Sequence, residues 1–369
     1  MSQSKKNHSV SKSKVKHVVP SNRKLRYGII GAGGIAGAHV EELKKFSDVE
    51  VVAAADIVDK NLETAQKEWG CTAVFKDWRE MLKKVELDAV SVCTPNALHV
   101  KPTLDALRAG CHVMVEKPLA MNASEGQRMV DEAEKLGLHC TIAFQHRYSP
   151  ETQMIKRAVD AGRLGDIMVA RVHAMRRRGI PNWGVFGRKE LQGGGPMIDI
   201  GVHAMEMAHY AMGLPRPVAA VGKTWTYLGN KPSEVVSMWP GWDHKTYTVE
   251  DFAIGYIRFE NGAVMTVESM FAGHIAPEDE PLRFELIGTK GGARTSPASL
   301  FYDQDGTMIN AMPAYLPKNK NFNIKMRNFV DVCFGRMEDQ SPALHGLMIQ
   351  KMIDGIYESS LKGREVIIK

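Results

Sequence analysis

Glycines crowd one short segment near the start of the chain, in the order Gly31-Ala32-Gly33-Gly34-Ile35-Ala36. The segment follows a strand-like run, 25–30, and opens an amphipathic run, so it has the strand, turn and helix context that a G-x-G-x-x-A motif requires. Glycines permit a tight turn and let backbone N–H groups approach a pyrophosphate at the positive end of a helix. The spacing predicts a dinucleotide site at these residues: Gly31, Gly33, Gly34, Ile35 and Ala36.

A carboxylate accompanies this motif. Asp56 ends the next strand-like run, 49–55, at a position where it would accept hydrogen bonds from the ribose hydroxyls of adenosine. Its charge would repel a 2′-phosphate, and the following Ile57 and Val58 offer no guanidinium to neutralise one. NAD is therefore favoured over NADP, with Lys60 as the nearest cation that would argue otherwise.

Short strand-like runs alternate with longer amphipathic runs through the first part of the chain, an order that builds a parallel sheet covered by helices on both faces. The predicted strands are 25–30, 49–55, 89–92, 112–115 and 139–142. The predicted helices between them are 38–46, 61–69, 98–109 and 124–136. This order predicts a doubly wound nucleotide-binding domain.

The rhythm changes after Pro150. A helix over 151–161 leads to a strand over 167–174, a second helix begins near Met197, and alternating strands follow from Val218. Asn261-Gly262 between the alternating runs 252–259 and 263–270 is a strong hairpin signal. The last predicted helices are 324–333 and 343–361.

The predicted fold is thus α/β followed by α+β. A flexible basic tail over 1–23 precedes a Rossmann NAD-binding domain over 24–148. An α+β domain for substrate binding and oligomerisation, with a largely antiparallel open sheet, occupies 149–369. Helices would cover one face of that sheet, and another subunit could pair with the other face.

The net charge of +6 is concentrated at the N-terminus, where residues 1–26 hold eight Lys or Arg and no Asp or Glu. Removing these eight leaves 40 basic against 42 acidic residues, so no nucleic-acid partner is expected. The sequence has no apolar run of about eighteen residues and no apolar N-terminal stretch, so neither a membrane span nor a secretory signal is expected. We expect a cytoplasmic protein. Its five cysteines form no C-x-x-C pair, which argues against a disulfide framework or zinc ribbon.

Four further segments occur in the order that is typical of one family. They are Thr94-Pro95-Asn96 with His99, Glu116-Lys117-Pro118, Gln145-His146-Arg147-Tyr148, and the run from Gly194 to His203. Together they resemble the glucose-fructose oxidoreductase and inositol dehydrogenase family, Gfo/Idh/MocA, from Leu25 to the C-terminus. The resemblance implies an NAD(P)-dependent oxidoreductase that transfers a hydride between nicotinamide and a secondary alcohol or ketone of a sugar, cyclitol or glycoside.

By this resemblance the catalytic residues are Lys117, Asp199 and His203, which would also contact substrate. Hydride can leave a carbinol carbon only as the hydroxyl proton is removed, so a base must lie within hydrogen-bond reach of that oxygen. On a helix, Asp199 and His203 share one face, so the carboxylate could orient the ring or bind a neighbouring hydroxyl. Lys117 would stabilise the developing alkoxide. Either Lys117 or His203 could take the proton.

The resemblance also assigns residues to the cofactor and the substrate. The remaining cofactor contacts would be Thr94, Asn96, His99, Glu116, Lys117 and Gln145. The segment 176–184 should lie over the cleft, where Trp183 could stack on a sugar ring and one of three arginines, Arg178 in our assignment, could bind hydroxyls or an acid group. Arg147 and Tyr148 match family positions that contact substrate or brace the cleft.

No metal site is predicted, because no H-E-x-x-H or comparable cluster is present, although some sugar-oxidising relatives use metals. Two alternatives to a simple dehydrogenase stay open. One is a sugar 3-oxidoreductase that retains and recycles its NAD, and the other is a nucleotide-binding regulator without turnover. The family further implies a homodimer or homotetramer.

Overall fold

The computed structural model describes residues 17–277 and 280–369, which contain two β-sheets. The first sheet has six parallel strands in the order β3-β2-β1-β4-β5-β6. Their bounds are β1 Leu25–Ile30, β2 Val49–Ala55, β3 Ala73–Phe75, β4 Ala89–Val92, β5 His112–Val115 and β6 Cys140–Ile142. All five predicted strands are present. The short strand β3 was missed because three residues are too few to show a pattern.

Five α-helices cover this sheet: α1 Gly34–Leu43, α2 Asp59–Thr64, α3 Trp78–Lys84, α4 Val100–Arg108 and α5 Ala123–Leu136. A π-helical turn, Ala65–Trp69, extends α2. Helix α1 begins four residues earlier than predicted because its first turn is built from glycine-rich sequence that carries no helical pattern. The strand order reverses between β1 and β4, so the glycine turn and Thr94 lie side by side at the carboxyl edge, where doubly wound sheets bind ligands.

The second sheet has nine strands in the order β14-β13-β12-β11-β7-β10-β9-β8-β15. Only β7 and β10 pair in parallel, so the predicted largely antiparallel open sheet is confirmed. The bounds are β7 Ile167–Met175, β8 Pro217–Trp225, β9 Phe252–Phe259, β10 Val264–Met270, β11 Leu282–Gly288, β12 Gly291–Thr295, β13 Ala298–Gln304, β14 Thr307–Ala311 and β15 Val366–Ile367. The predicted hairpin joins β9 to β10, with Gly262 at a φ of +87° in its turn.

The remaining helices are α6 Pro150–Asp160, α7 Lys189–Gln192, α8 Val202–Ala211, α9 Asn321–Cys333 and α10 Ala343–Lys362. A π-helical turn, Met197–Gly201, leads directly into α8. Helix α8 packs on β7 and β11, and α10 packs on β8 and on α5 of the first domain. The outer face of β8 and β9 carries large apolar side chains that are each more than a third exposed: Val221, Trp225, Ile254 and Tyr256.

Two of the predicted domain boundaries differ from the structure. Helix α9 returns to the first domain, where Met326 and Phe329 share a buried cluster with Leu25 and Tyr27. The first domain also begins before residue 24. The Val19 N–H donates to the Cys333 carbonyl, and Arg23 forms a bidentate ion pair with Asp88, so residues 19–23 belong to the domain and not to a tail. The rest of the predicted tail, 1–16, lies outside the described residues.

None of the helices within residues 17–277 and 280–369 has both the length and the apolar composition needed to cross a bilayer.

Candidate active site

Lys117 and Asp199 meet between the two domains. Strand β5 ends at Val115 and leads to Lys117, whose peptide bond to Pro118 is cis. Lys117 Nζ donates to Asp199 Oδ1 at 2.9 Å and to the Asp199 backbone carbonyl at 3.0 Å. The lysine side chain is 19% exposed and the aspartate 7%, so the pair is largely shielded and still open on one side.

His203 lies one turn along from Asp199, and its ring is buried. Its Nδ1 has no hydrogen-bond partner among the described residues. Burial, followed by the positive charge of Lys117, holds the pKa of His203 well below its usual range, so the ring is neutral near pH 7. Of the two roles expected for Asp199, orienting the imidazole is not seen among the described residues, because its carboxylate bonds to Lys117.

The ring that contacts His203 belongs to His146, which sequence reasoning missed. The two imidazoles meet edge to face with centroids 4.7 Å apart. Burial lowers the pKa of His146 to about 4, and the charges of Lys117 and Lys325 act in the same direction. The histidine stood inside the Gln145–Tyr148 motif, but nothing in the sequence shows that its ring faces His203.

The segment that leads to Asp199 is bonded to the buried carboxylate of Glu250. Glu250 accepts hydrogen bonds from the backbone N–H groups of Gly195 and Met197 and from the Tyr357 hydroxyl. The hydroxyl of Ser269, a residue of strand β10, donates a hydrogen bond to the Pro196 carbonyl. These bonds fix the start of the π-helical turn, and no local pattern in the sequence signals them.

A second buried cluster lies behind Lys117. Glu116 Oε1 is 2.9 Å from His39 Nε2 and 3.3 Å from Nζ of Lys325, a residue of α9. Glu116 Oε2 accepts the backbone N–H of Lys117 at 3.2 Å. Glu116, predicted to lie beside the cofactor, thus has its carboxylate bound to protein groups, and its ionic partner comes from the C-terminal part of the chain.

The glycine turn has the shape that a pyrophosphate requires. Gly31 has a φ of +86°, and a Cβ there would lie 2.8 Å from the Cys93 backbone. A Cβ at Gly33 or Gly34 would meet nothing within 4 Å, so the space before the first turn of α1 is open. The residues present therefore fit a dinucleotide. Ile35 is partly exposed at this helix start, whereas Ala36 is fully buried and serves the packing of α1.

The Asp56 carboxylate is pinned against this turn. It accepts the backbone N–H groups of Ala32 at 2.7 Å and Val58 at 2.8 Å, and it is only partly buried. Gln145 is buried, and its Oε1 has no partner among the described residues. Asp56 Oδ2 also accepts from Asn61 Nδ2 at 3.1 Å, and both side chains keep acceptor capacity for a ligand.

The other predicted cofactor residues make structural bonds. Thr94 Oγ1 donates to the Leu98 carbonyl, and Asn96 Nδ2 donates to the Gln192 carbonyl of the second domain. His99 is buried with its ring nitrogens 2.8 Å from the Pro118 carbonyl and 2.9 Å from the Thr94 carbonyl. His99 therefore braces the loop that carries Lys117, and its ring has no free nitrogen for a cofactor.

Arg147 and Tyr148, predicted to contact substrate or to brace the cleft, are both buried and bonded to protein groups. Arg147 is 1% exposed; its Nε and Nη2 each bond to Glu206 Oε2 at 3.0 Å. The Tyr148 hydroxyl donates to Asn328 in α9. The polar groups of both side chains bond to residues that are far away in the sequence. A family motif alone does not show such contacts.

The segment 176–184 does border the cleft, with its two predicted residues on the rim. Trp183 is 49% exposed, and its ring meets Trp239 edge to face at 4.7 Å. Arg178 donates to the Gly273 carbonyl and lies 3.2 Å from His274 Nε2. The charge of Arg176, the first of the three arginines, acts on both Asp199 and His203.

Within 17–277 and 280–369, no three side chains of His, Cys, Asp or Glu converge as metal ligands would.

Comparison with known proteins agrees with this architecture. Residues 25–144 match the oxidoreductase family with an NAD-binding Rossmann fold, and residues 152–294 match the GFO/IDH/MocA C-terminal domain. The D-glucoside 3-dehydrogenase of Escherichia coli (strain K12) is 36% identical over 93% of this chain and 97% of its own length. The chain belongs to the Gfo/Idh/MocA family.

Other Gfo/Idh/MocA proteins are similar over most of the chain. The myo-inositol 2-dehydrogenase of Thermotoga maritima (strain ATCC 43589 / DSM 3109 / JCM 10099 / NBRC 100826 / MSB8) is 30% identical over 72% of this chain and 74% of its own. The aldose-aldose oxidoreductase of Caulobacter crescentus, solved with glycerol, has the same fold, with a TM-score of 0.76 at 24% identity over 94% of this chain and all of that one. Membership makes the chain an oxidoreductase with NAD as the cofactor of its first domain.

Proposed function

We propose that this chain oxidises a secondary hydroxyl of a glycoside, at the 3-position of a glucosyl unit, with NAD as hydride acceptor. The observation that carries the proposal is the Lys117–Asp199 contact of 2.9 Å, formed across the two domains beside the buried His203. Support for position and substrate class comes from the 36% identical relative named D-glucoside 3-dehydrogenase.

His203 is the proposed base. Its imidazole is neutral near pH 7 because burial and nearby cations lower its pKa. A neutral ring can accept the hydroxyl proton as the hydride leaves the carbinol carbon. NAD, when bound, supplies the acceptor for that hydride.

Lys117 would bind the same substrate oxygen. Two of the three N–H directions of its ammonium already point to Asp199, which fixes the side chain and leaves one donor for the alkoxide. Asp199 is then a positioning residue for Lys117, and its second carboxylate oxygen is free to accept a neighbouring sugar hydroxyl.

The test is to incubate the full chain with NAD and a panel of glucosides, hexoses and cyclitols, and to follow NADH absorbance. NMR of the product should place the new carbonyl at the 3-position of a glucosyl unit. Oxidation at another position would contradict the regiochemistry, and no oxidation of any alcohol would contradict the activity. NAD released by denaturing protein that was purified without it would favour the self-recycling oxidoreductase.

We further propose a cytoplasmic homo-oligomer, either a dimer or a tetramer. All five cysteines are buried free thiols, which fits a reducing compartment. The exposed apolar side chains on the outer face of β8 and β9 suit a second copy of the same sheet.

A further inference from the structure

Arg176 is a half-buried guanidinium with no carboxylate within ion-pair distance among the described residues. It follows β7, and its Nη1 makes one hydrogen bond, to the Gly179 carbonyl at 3.3 Å. The guanidinium carbon lies 5.0 Å from the centroid of the Trp239 ring and 5.6 Å from that of Phe271. A guanidinium has five N–H donors, so the aromatic faces hold its plane while most donors are left for a ligand.

This side chain is close to the proposed catalytic groups. The Arg176 backbone N–H donates to the Met270 carbonyl at the end of β10. The neighbouring Ser269 donates a hydrogen bond to the carbonyl of Pro196, at the start of the segment that leads to Asp199. The negative charge of Asp199 partly offsets the effect of burial on the pKa of Arg176. These contacts connect the residue that carries the guanidinium to the segment that leads to Asp199, and one substrate molecule that spans both is the arrangement proposed below.

The same arginine lines a cavity of about 1100 Å³. Arg177, Arg178 and His274 also line it, while the facing wall is the segment 235–239, in which Val236 is 95% exposed and Met238 68% exposed. Within residues 17–277 and 280–369, the ionisable side chains that line this cavity are all basic; Glu278 and Asp279, between the lining residues Pro277 and Pro281, lie outside the described residues. Glu280, at the end of the adjoining loop, is exposed and lines a different cavity.

We propose that this cavity binds the aglycone of the glycoside and that the aglycone carries an anionic group, a carboxylate or a phosphate, which Arg176 recognises. The inference rests on the proposed function and specifies its substrate. A cavity of this size accommodates far more than one hexose ring, since pockets of about 300 to 1,000 Å³ enclose drug-sized ligands. The planar guanidinium of Arg176 can form paired hydrogen bonds with carboxylate or phosphate oxygens. The apolar segment 235–239 suits an aromatic or alkyl part of the aglycone, between the glucosyl unit and the anionic group.

Matched glucosides test this assignment. The rate of NADH formation is measured for phenyl, para-carboxyphenyl and para-phosphophenyl β-D-glucosides, with the full-length wild type, Arg176→Gln and Arg171→Gln. Arg171 is the control because it lies on the same strand with an exposed side chain paired to Glu285. We expect the wild type to favour at least one anionic glucoside in kcat/KM by about tenfold to hundredfold, the effect of a charge-assisted hydrogen bond. Arg176→Gln should lose that preference and Arg171→Gln should keep it.

The two anionic glucosides identify the group that is bound, and the phenyl glucoside separates this inference from the proposed function. Equal kcat/KM for the neutral and both anionic glucosides, or a preference that survives Arg176→Gln, would overturn the anionic subsite while leaving the dehydrogenase intact. If no glucoside is oxidised, the proposed function fails, and calorimetric titration of the NADH-saturated protein still decides the subsite. Tighter binding of an anionic glucoside that depends on Arg176 would support it, and equal binding of all three would refute it.

Discussion

The three side chains of the proposed reaction differ in what surrounds them. Lys117 is tied to Asp199, whereas His203 is packed against another neutral imidazole and has no partner for its Nδ1. A fixed ammonium beside an unpartnered neutral ring separates the stabilisation of negative charge from the acceptance of the proton. The environment, more than the residue types, thus favours His203 as the base, a choice that the sequence left open.

The pH profile of the reaction tests that choice. Protonation removes the acceptor of His203, and because its pKa is lowered, kcat/KM should be level from about pH 6.5 upward and fall only at lower pH. A base with an ordinary lysine pKa of about 10.4 would instead give a rate that still rises above pH 8. Replacing His203 with Ala should lower kcat by about 10² to 10⁴. The affinity for NAD, measured by calorimetry, should change little, and an unchanged kcat would remove the assignment.

We predict that Asp56 governs the choice of cofactor through its charge. Asp56→Ser removes the carboxylate that would repel a 2′-phosphate, so the ratio of kcat/KM for NADP to that for NAD should rise about tenfold, equivalent to about 1.4 kcal/mol. Because Ala32 and Val58 also lose an acceptor, NAD itself should bind more weakly. Asp59→Ser is the control, since Asp59 is a nearby exposed carboxylate paired with Lys76. Equal ratios in both variants would show that Asp56 is not the ribose partner.

Helix α9 connects the end of the chain to the start of the site. It contributes Phe329 to the apolar core of the first domain and Lys325 to the buried cluster with Glu116 and His39. Since Glu116 also accepts the backbone N–H of Lys117, the helix supports the residue next to the proposed catalytic ammonium. This contact joins two elements that are separated by more than half of the chain.

Removing the ion pair between Lys325 and Glu116 should lower the free energy of unfolding, and the loss should depend on the buried charge of Glu116. Lys325→Met leaves the Glu116 carboxylate buried without its cationic partner, so the free energy of unfolding in urea should fall by about 3 to 5 kcal/mol. The double variant with Glu116→Gln should be more stable than Lys325→Met alone, because no buried charge remains. Equal stabilities of the single and double variants would mean that Lys325 acts through packing only.

At the scale of the whole molecule, the second sheet has helices on one face and exposed apolar side chains on the other. Val221 pairs with Tyr256 across β8 and β9, so these apolar groups form one continuous surface. If this surface is the contact between copies, charging it with Tyr256→Lys and Ile254→Asp should lower the mass found by light scattering after size exclusion. Met308→Lys, at an exposed position of β14 on the opposite edge of the sheet, tests whether added charge alone has that effect. An unchanged mass in the double variant would exclude this face as the interface.

The sequence by itself determined the order of elements and the glycine turn with Asp56, and it singled out Lys117, Asp199 and His203 as candidate site residues. Strand and helix periodicity and short motifs are local properties of the sequence. The tertiary structure decided which polar groups reach the cleft. Arg147 pairs internally with Glu206, His146 packs on His203, Lys325 of α9 pairs with Glu116, and the charge of Arg176 acts on His203. These outcomes depend on contacts between residues far apart in the chain, where burial and a specific partner, and not residue type, fix the role of each charge.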